Sequence, residues 1–343
     1  MKTLVTGGAG FIGSHVVDAL RASGHGVTVI DSLDPGVWSG PPSYLRRDVR
    51  YVFQDLRHWT PDASFSDTEI VVHLAALGGV TRAAREPSNV LEGNVGGTAR
   101  LVASMRSWPK LRHVVLASSF SVYGSNYSYR VPSTGRIISA MRRDADLRAG
   151  RFEVRDEVTG EDALIVPIEE SAVPSPLELY GASKYMQELC FRGFDAAAVS
   201  ILRFSSVYGD RLRLDDGEAT IIARLAGWIR AGKSPTLFED GNQIRDWVHV
   251  KDIVELLTRI IDGKVLPPLV VNVCSGQPTT LVEACAILNS VTASNVEPEI
   301  VGGFRPGDMR HCLGDASRFA SLLGRDPLQF KDGARLAFAN TEA

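Results

Sequence analysis

The stretch Thr6-Gly7-Gly8-Ala9-Gly10-Phe11-Ile12-Gly13 decides the fold of this 343-residue chain. It follows a short apolar run and opens a stretch of helical period, Phe11–Ser23. We expect Gly7 to permit a tight turn, Gly10 to let a pyrophosphate approach the backbone, and Gly13 to let the helix pack on the sheet. The helix N-terminus then faces the phosphates. A glycine triad alone also occurs for structural reasons, but its place between a strand and a helix predicts a dinucleotide site.

Further short apolar runs recur through the first half of the chain, and stretches of helical period such as Asn94–Ser104 lie between several of them. This alternation is typical of βαβ units and a parallel sheet. The runs are Thr3–Thr6, Val27–Ile30, Tyr51–Phe53, Ile70–Leu74 and Val114–Ala117. The sequence therefore predicts an α/β fold, a Rossmann doubly wound parallel sheet with a smaller C-terminal substrate-binding domain.

The pattern changes after Gly124, because residues 125–168 are polar and hold seven arginines between Arg130 and Arg155 without a clear apolar period. We interpret this segment as an insertion and as a place where substrate specificity could reside; a solvated loop or a subunit contact fits it equally well. Beyond it we expect helices from Tyr180 and over Thr220–Ala231, and strands at Val199–Leu202 and Leu269–Val273. The predicted dinucleotide-binding domain comprises residues 1–204 and 244–274, and the predicted substrate domain comprises residues 205–243 and 275–343.

Composition limits the classes of function. With 44% hydrophobic residues the chain can bury a sizeable core, and a formal net charge of −3 gives no field for collecting nucleic acid or an anionic membrane. The four scattered cysteines form no CxxC pair, so we expect no metal site. No apolar run reaches the roughly 18 residues of a membrane span, and a strand begins at Lys2 without a leader before it. We expect a cytoplasmic protein.

Asp31 ends the second strand, eighteen residues beyond Gly13. A carboxylate there accepts hydrogen bonds from the adenosine ribose hydroxyls and repels a 2′-phosphate, which favours NAD over NADP. The alternative is a cap on the turn Ser32–Asp34. The predicted cofactor-binding residues are Gly7, Gly10, Phe11, Ile12, Gly13, Asp31, Ser32, Asp55, Leu56, Leu74, Ala75, Ala76, Asn94, Tyr180, Lys184 and Phe204.

Tyr180 and Lys184 are four residues apart and so lie on one face of the predicted helix. A tyrosine with its ordinary pKa near 10 is a poor base at neutral pH, so it needs a nearby cation. We expect Lys184 and an oxidised nicotinamide to lower the pKa of the phenol. Ser119, at the end of a predicted strand, is expected to share the substrate's hydrogen bond with Tyr180. Each feature alone has an ordinary structural explanation, but their order after the glycine motif favours a catalytic set of Ser119, Tyr180 and Lys184.

Together, Gly7–Gly13, Asp31, Ser119, Tyr180 and Lys184 resemble the extended short-chain dehydrogenase/reductase family over essentially the whole chain. Three later segments are similar to that family's nucleotide-sugar epimerases and dehydratases: RFSSVYG (203–209), DGNQIRDWVHV (240–250) and RPGDMRH (305–311). The resemblance implies NAD as cofactor, a nucleotide-diphosphate sugar as partner, and a homodimer built through helices that include the one with the Tyr/Lys pair.

The resemblance also implies that Arg245 and Arg310 contact the nucleotide diphosphate or its ribose, and a guanidinium fork suits phosphate oxygens. For Arg245 the alternative is a surface ion pair with Asp246 or another neighbouring residue. Relatives often have asparagine where this chain has Ser206, so that contact is weakened or rebuilt here. The predicted substrate-binding residues are Ser121, Tyr123, Ser206, Arg245 and Arg310.

The residues after Ser119 bear on the reaction. Sugar 4,6-dehydratases of the family carry an Asp-Glu pair where this chain has Phe120 and Ser121, and decarboxylases usually carry Glu at the position of Ser121. Neither side chain can exchange the protons that dehydration needs, so both reactions are disfavoured.

What remains needs a hydride and one acid–base residue. The simplest hypothesis is 4-epimerisation of a dTDP- or UDP-linked hexose or 6-deoxyhexose through a transient 4-keto sugar. An NAD(P)H-dependent 4-keto-sugar reductase is the alternative, and a non-catalytic NAD-binding protein is less favoured. Within the family the chain most resembles the bacterial dTDP-L-rhamnose 4-epimerase group, on Asp31–Pro35, on Ser118–Gly124 with an insertion that contains Tyr127, and on the FRPGDMRH run.

Overall fold

The computed structural model describes residues 1–214, 220–305 and 308–339. Fifteen strands are found there: β1 (Lys2–Thr6), β2 (Gly26–Asp31), β3 (Arg50–Phe53), β4 (Ile70–His73), β5 (His113–Ser119), β6 (Tyr129–Arg130), β7 (Ile137–Ile138), β8 (Leu164–Ile165), β9 (Ala198–Phe204), β10 (Ser206–Tyr208), β11 (Thr236–Leu237), β12 (Ile244–His249), β13 (Leu269–Val273), β14 (Pro278–Thr280) and β15 (Glu299–Ile300). The strands predicted from the sequence are confirmed within two residues.

The same residues form eleven α-helices: α1 (Phe11–Ala22), α2 (Val80–Arg85), α3 (Pro87–Leu91), α4 (Gly97–Met105), α5 (Asp144–Arg148), α6 (Leu179–Cys190), α7 (Ile221–Arg230), α8 (Val250–Ile261), α9 (Leu281–Thr292), α10 (Ser317–Leu323) and α11 (Phe330–Phe338). A π-helical turn, Glu92–Gly96, leads into α4. The helices expected at Phe11, Asn94, Tyr180 and Thr220 are therefore present.

The central sheet has seven strands in the order β13-β9-β5-β4-β1-β2-β3. The five pairings between β3 and β9 are parallel. Chain order runs outward from β1 in both directions, so β1 and β4 flank the point at which the order reverses. In open α/β sheets, ligands bind outside the carboxyl ends of the strands at such a point. The predicted doubly wound parallel sheet is confirmed, and the glycine turn lies at the reversal.

The chain divides into two compact units. Unit 1 contains residues 1–122, 178–204 and 250–271; unit 2 contains 123–177, 205–249 and everything from Asn272 onward. These bounds differ from the predicted domains in three places: residues 123–177, 244–249 and 272–274. The insertion belongs with unit 2, because its charged side chains bind the segments around Glu239 and Arg310. Strand β12 also belongs there, because it pairs with β10 and β14 instead of joining the central sheet.

Each unit has its own apolar core. In unit 1, Leu4, Val71 and Leu116 from adjacent central strands are fully buried and share a cluster with Trp59 and Trp108. Near-continuous apolar strands fit a sheet that is covered on both faces. The core of unit 2 is built from α7, α9, α11 and the strand residue Trp247. Within the described residues no helix is long and apolar enough to cross a membrane.

Candidate active site

The glycine turn joins β1 to α1. Gly7 has φ +72°, and a side chain there would come within 2.7 Å of the backbone nitrogen of Ala75. A Cβ on Gly13 would collide with the Gly7 carbonyl oxygen. Because the N-cap residue of α1 is Gly10, no side chain caps the first amides of the helix, and uncapped amides suit an anion. The predicted turn and helix start are confirmed. Contacts of Gly10, Phe11 and Ile12 with a phosphate stay predictions.

Asp31 ends β2 and binds two backbone amides. One carboxylate oxygen accepts from the Ala9 N–H at 2.9 Å and the other from the Leu33 N–H at 2.9 Å. Burial raises the pKa of this carboxyl, the two amides oppose that shift, and Asp34 adds to it. The turn cap considered from the sequence is therefore present. Each oxygen keeps a second lone pair for a ribose hydroxyl, so the cap and the predicted cofactor contact are compatible.

Other predicted cofactor contacts lie at the same sheet edge. Asp55 follows β3, and its carboxylate accepts from the Arg57 backbone at 2.8 Å and from the Arg57 guanidinium at 2.6 Å. Leu56 is buried in the core of unit 1. After β4, Leu74 and Ala75 are half-buried and Ala76 is exposed, while Ser32 is exposed after β2. The contacts of these residues with a cofactor stay predictions.

Asn94 has a structural role in this conformation. It is fully buried, its oxygen accepts from the Leu77 N–H at 2.6 Å, and its amide donates to the Leu77 carbonyl and to Ser183. Both amide hydrogens are therefore used within the fold, and the predicted cofactor contact stays a prediction. Phe204 is buried at the end of β9, opposite Ser119 in the strand register.

Ser119 and Tyr180 meet at the carboxyl end of β5. The Ser119 oxygen accepts from the Ser121 N–H at 3.1 Å, and its side chain lies close enough to the Tyr180 phenol to lower the pKa of that phenol. Burial and the Glu178 carboxylate raise the pKa of Tyr180 to about 12, although Ser119 opposes the shift. The expected lowering of this pKa by Lys184 together with an oxidised nicotinamide stays a prediction, because the value of about 12 belongs to the protein without a cofactor.

Local packing fixes where α6 begins. The Glu178 carboxylate caps the helix, accepting from the Tyr180 N–H at 2.7 Å and the Gly181 N–H at 2.9 Å. A Cβ on Gly181 would collide with the Ser121 carbonyl oxygen. Only glycine lets the first turn of α6 approach the end of β5 so closely, and this approach brings Tyr180 to Ser119.

Lys184 lies one turn after Tyr180 on α6, as predicted. Its side chain is buried, and its ammonium donates to the Gln187 side-chain oxygen at 2.5 Å. Burial lowers the pKa of Lys184 to about 7, with Glu188 acting in the opposite direction. The ammonium is thus buried beneath the site and shielded from solvent, where charge interactions are stronger than in water.

Sequence analysis missed a buried ion pair beside this helix. Arg203 of β9 binds Glu188 of α6 at 2.9 and 3.0 Å, and Ser118 donates to the same carboxylate at 2.5 Å. Both charged side chains are less than a tenth exposed. A signal existed, because Glu188 follows Lys184 by one helical turn and Arg203 interrupts an apolar strand.

Arg245 lies in unit 2 and binds backbone carbonyls. Its guanidinium donates to the carbonyls of Ile244 and Arg310, each at 2.8 Å. Asp246 is fully buried and accepts from Ser275 and from backbone amides. The surface ion pair between Arg245 and Asp246 is therefore wrong.

Arg310 differs most from its predicted role. Its side chain is wholly buried, and its guanidinium binds Glu153, Glu239 and Asp240. The side chain is thus saturated by carboxylates within unit 2, and this conformation does not present it to a phosphate. The sequence analysis missed Glu153, because 157 residues separate it from Arg310.

The other predicted substrate residues differ in access. Tyr123 is fully buried and donates to the Asn272 side chain at 2.6 Å, so its contact is within unit 2. This burial is at odds with a direct substrate contact. Ser121 and Ser206 are half-buried, and their substrate contacts stay predictions.

The arginines of the insertion bind acidic residues of unit 2. Arg142 is buried and binds Glu239 at 2.6 Å, and Arg136 pairs with Asp156. Arg151 pairs with Asp146. These side chains hold the insertion in place. The insertion also helps to line a cavity of unit 2. Its lining residues include Tyr127, Tyr129, Met141, Leu147, Val154 and His311.

Unit 2 also contains a half-buried arginine, Arg224, that sequence analysis did not identify. Burial and the nearby Arg305 lower the pKa of Arg224. The buried Nε atom of Arg224 has no hydrogen-bond partner among the described residues. A half-buried guanidinium with an unpartnered nitrogen suits an anionic ligand. Across residues 1–214, 220–305 and 308–339, no group of three or more His, Cys, Asp or Glu side chains could hold a metal ion.

Comparison with known proteins gives consistent results. The family model described as NAD dependent epimerase/dehydratase family matches residues 3–274. A dTDP-L-rhamnose 4-epimerase from Burkholderia thailandensis is 31% identical over 337 residues, covering 95% of this chain and 90% of that protein. The crystal structure of a UDP-glucose 4-epimerase from Thermotoga maritima with UDP-glucose has a TM-score of 0.76 and 27% identity, covering 98% of this chain and 97% of the other. A Thermus thermophilus UDP-glucose 4-epimerase in complex with NAD has a TM-score of 0.73 and 26% identity, covering 98% of each chain.

Proposed function

Because the chain belongs to the NAD dependent epimerase/dehydratase family, we propose that it inverts C4 of a nucleotide-linked hexose or 6-deoxyhexose through a transient 4-keto sugar. It is an NAD-dependent nucleotide-sugar epimerase. The observation that carries the C4 assignment is the interaction between the half-buried side chains of Ser119 and Tyr180, with the buried Lys184 one turn further along α6. This set supplies one acid–base group.

We propose that Tyr180 takes the proton of the C4 hydroxyl, that Ser119 shares the hydrogen bond to the same oxygen, and that Lys184 supports the phenolate. The glycine turn and Asp31 would hold NAD, which when bound supplies a hydride acceptor and donor. After the 4-keto sugar turns over, the phenol of Tyr180 returns its proton to the C4 oxygen. Phe120 is buried and Ser121 is half-buried. Because neither side chain has a carboxyl group, these positions do not offer the acid and base that a dehydratase needs.

We propose unit 1 as the NAD-binding unit and unit 2 as the unit that binds the nucleotide sugar. The support for unit 2 is local positive charge, since the whole chain is near neutral. Burial and the charge of Arg305 lower the pKa of the half-buried Arg224, whose buried Nε has no hydrogen-bond partner among the described residues. Arg245 holds its guanidinium on backbone carbonyls, so its positive charge is not paired with a carboxylate there. We propose that these arginines contact the diphosphate, and we retain Ser121 and Ser206 as proposed substrate contacts. A dTDP-linked 6-deoxyhexose is the favoured substrate, since the relative with 31% identity acts on dTDP-L-rhamnose.

We also propose a homodimer and a cytoplasmic location. Support for the dimer comes from α6, where Met186 and Leu189 are exposed apolar side chains three residues apart on the helix that carries Tyr180. Three-residue spacing places both on one side of a helix. Support for the location comes from the cysteines, which are all free thiols and suit a reducing compartment.

The test is to incubate the purified protein, without added cofactor, with dTDP-L-rhamnose and a panel of UDP- and dTDP-hexoses, and to resolve the C4 epimers by chromatography and NMR. Interconversion is expected, and the best substrate identifies the nucleotide and the sugar. If no sugar reacts until NADH or NADPH is supplied and consumed, the protein is a 4-keto-sugar reductase and the epimerase proposal fails.

A further inference from the structure

Five polar side chains are buried together beneath the active site of unit 1. None is more than 3% exposed, and they are Thr6, His73, Thr98, Lys184 and Gln187. Burying polar groups is costly unless each one is hydrogen-bonded. The proposed reaction uses only Lys184, so the other four need a separate explanation.

These side chains form one continuous chain of hydrogen bonds. Lys184 donates to the Gln187 oxygen at 2.5 Å, and the Gln187 amide nitrogen donates to the Thr98 hydroxyl at 2.7 Å. The Thr98 oxygen lies 2.8 Å from His73 Nε2, and His73 Nδ1 lies 2.6 Å from the Thr6 hydroxyl. Thr6 immediately precedes Gly7, so the chain connects the ammonium to the glycine turn.

Counting hydrogens gives each bond its direction. Thr98 gives its single hydrogen to the Asn94 carbonyl at 2.5 Å, so its oxygen accepts from both Gln187 and His73. His73 therefore carries its hydrogen on Nε2, and its Nδ1 accepts from Thr6. Burial, assisted by the nearby Lys184 charge, lowers the pKa of His73 to about 3, which agrees with a neutral ring.

The same count fixes the amide of Gln187. Its nitrogen is committed to Thr98, so its oxygen faces the ammonium of Lys184. A flipped amide would place an NH₂ group against a cation and lose both bonds. The fold thus holds a carbonyl dipole against Lys184 that cannot turn away without breaking a buried network.

We propose that Gln187 is a positioning residue that fixes the ammonium of Lys184 beneath the active site through the buried chain Thr98–His73–Thr6. The inference rests on the proposed function for the role of Lys184 in the reaction. Gln187 lies outside the predicted catalytic set of Ser119, Tyr180 and Lys184. It follows Lys184 by three residues on the same helix.

The charged and titratable groups around Lys184 come from three elements. Tyr180 and Glu188 lie on its own helix, and Glu188 is paired with Arg203 of β9. His73 of β4 is neutral and carries no charge. Gln187 therefore supplies a neutral acceptor in direct contact with the ammonium, and removing that acceptor disfavours the protonated form.

The test compares Gln187→Met, which has a similar length and no strong acceptor, with Gln187→Glu, which keeps an acceptor and adds a charge. The readout is the titration of lysine side chains labelled with ¹³C at Cε and followed by NMR in the NAD-loaded protein and in the protein alone. The chain has only seven lysines, and loss of one resonance in Lys184→Arg assigns the signal. Gln187→Met should lower the pKa of Lys184 by about one unit, and Gln187→Glu should raise it by about one unit.

The basic limb of the kcat/KM pH profile should move in the same two directions. Ser200→Ala is the matched control. It removes a buried hydrogen bond of 2.9 Å between Ser200 and His113, and His113 begins β5, at the end of that strand away from Ser119. If the Gln187→Met variant does not fold, Thr98→Val takes its place in the test, because Thr98→Val removes the acceptor that anchors the Gln187 amide.

The outcomes separate the two proposals. If neither the Met nor the Glu variant changes the Lys184 titration, or if both lower it, Gln187 acts only in packing and the inference is overturned. If the wild-type protein epimerises no sugar, the proposed function fails while the Lys184 titration still decides the inference.

Discussion

The side chain of Ser119 lies close enough to the Tyr180 phenol to lower the pKa of that phenol. The two side chains come from β5 and α6, which meet because Gly181 has no side chain to strike the Ser121 carbonyl. Ser119 thus opposes the effect of burial, which raises the pKa of Tyr180 to about 12. The phenol is therefore protonated in the protein alone at neutral pH, and a bound cationic cofactor would favour its ionisation.

Removal of the Tyr180 hydroxyl should abolish most turnover without removing the cofactor. In Tyr180→Phe we expect a fall in kcat of about 10²- to 10⁴-fold, the usual contribution of a positioned acid–base group. Cofactor affinity, measured by calorimetry with NAD, should change little. Tyr185→Phe, the same substitution five residues later in α6, is the control. Retained turnover in Tyr180→Phe would remove Tyr180 from the mechanism.

Asp31 should determine cofactor choice. In Asp31→Asn the amide retains one acceptor and loses the charge, so NAD affinity should fall about 10- to 100-fold, as for loss of a charged hydrogen bond of about 1.5–3 kcal/mol. NADP should be affected less, because the repulsion of its 2′-phosphate disappears. Calorimetric Kd values for both cofactors measure the ratio, with Asp62→Asn as the control at an exposed turn. An unchanged NAD/NADP ratio would leave Asp31 as a turn cap only.

The buried pair of Arg203 and Glu188 should be a large contributor to stability. Arg203→Met leaves the carboxylate of Glu188 buried and uncompensated, which typically costs about 3–5 kcal/mol in the free energy of unfolding. The double variant Arg203→Met, Glu188→Met should recover much of the loss, because two apolar side chains replace the pair. Thermal midpoints in a fixed buffer measure both effects.

The control for this pair is Arg106→Met. Arg106 pairs with Asp195 at 3.1 Å, but both side chains are about half exposed or more, and exposed pairs contribute little. A double variant that is less stable than Arg203→Met alone would contradict the argument.

The sequence predicted the central sheet because its strands are buried on both faces and so appear as apolar runs. The same reasoning located Ser119, Tyr180 and Lys184, whose positions depend on local spacing at the end of β5 and along α6. Asp31 was identified because a strand end and a glycine turn fix its distance along the chain. The local sequence pattern was therefore sufficient to predict a site residue wherever a single strand or helix determined the position of that residue.

Sequence pattern could not identify the partners of buried charges. Arg310 was predicted to contact substrate, yet three carboxylates bind it, and Glu153 comes from 157 residues earlier. Asn94 was predicted to contact cofactor, yet the chain folds so that Leu77 and Ser183 use its amide. The insertion has strands of only two residues, too short for any hydrophobic period, so its place in unit 2 became visible only through its ion pairs.

Glu153 should make unit 2 sensitive to acid. Burial raises the pKa of Glu153, but bonds from His311 and Arg310 outweigh burial and lower it below its usual 4.5. Arg310 likewise outweighs burial at Asp240 and lowers its pKa to about 2. A carboxyl whose pKa is lower in the folded state stabilises the fold above the unfolded pKa and loses that contribution as pH falls through the folded value. The loss should therefore begin near pH 4.5 and continue towards pH 2.

Glu153→Gln tests this directly, because it removes the titrating group and keeps the size. At pH 7 the variant should have a lower thermal midpoint than the wild type, since the Arg310 guanidinium loses a carboxylate partner. Below pH 4.5 the two midpoints should converge, because the wild type loses the same interaction by protonation. Glu157→Gln, an exposed residue of the same insertion, should follow the wild-type curve. If the difference between the wild-type and Glu153→Gln thermal midpoints stays the same from pH 7 to pH 3, protonation of Glu153 does not cause the loss of stability of unit 2 in acid.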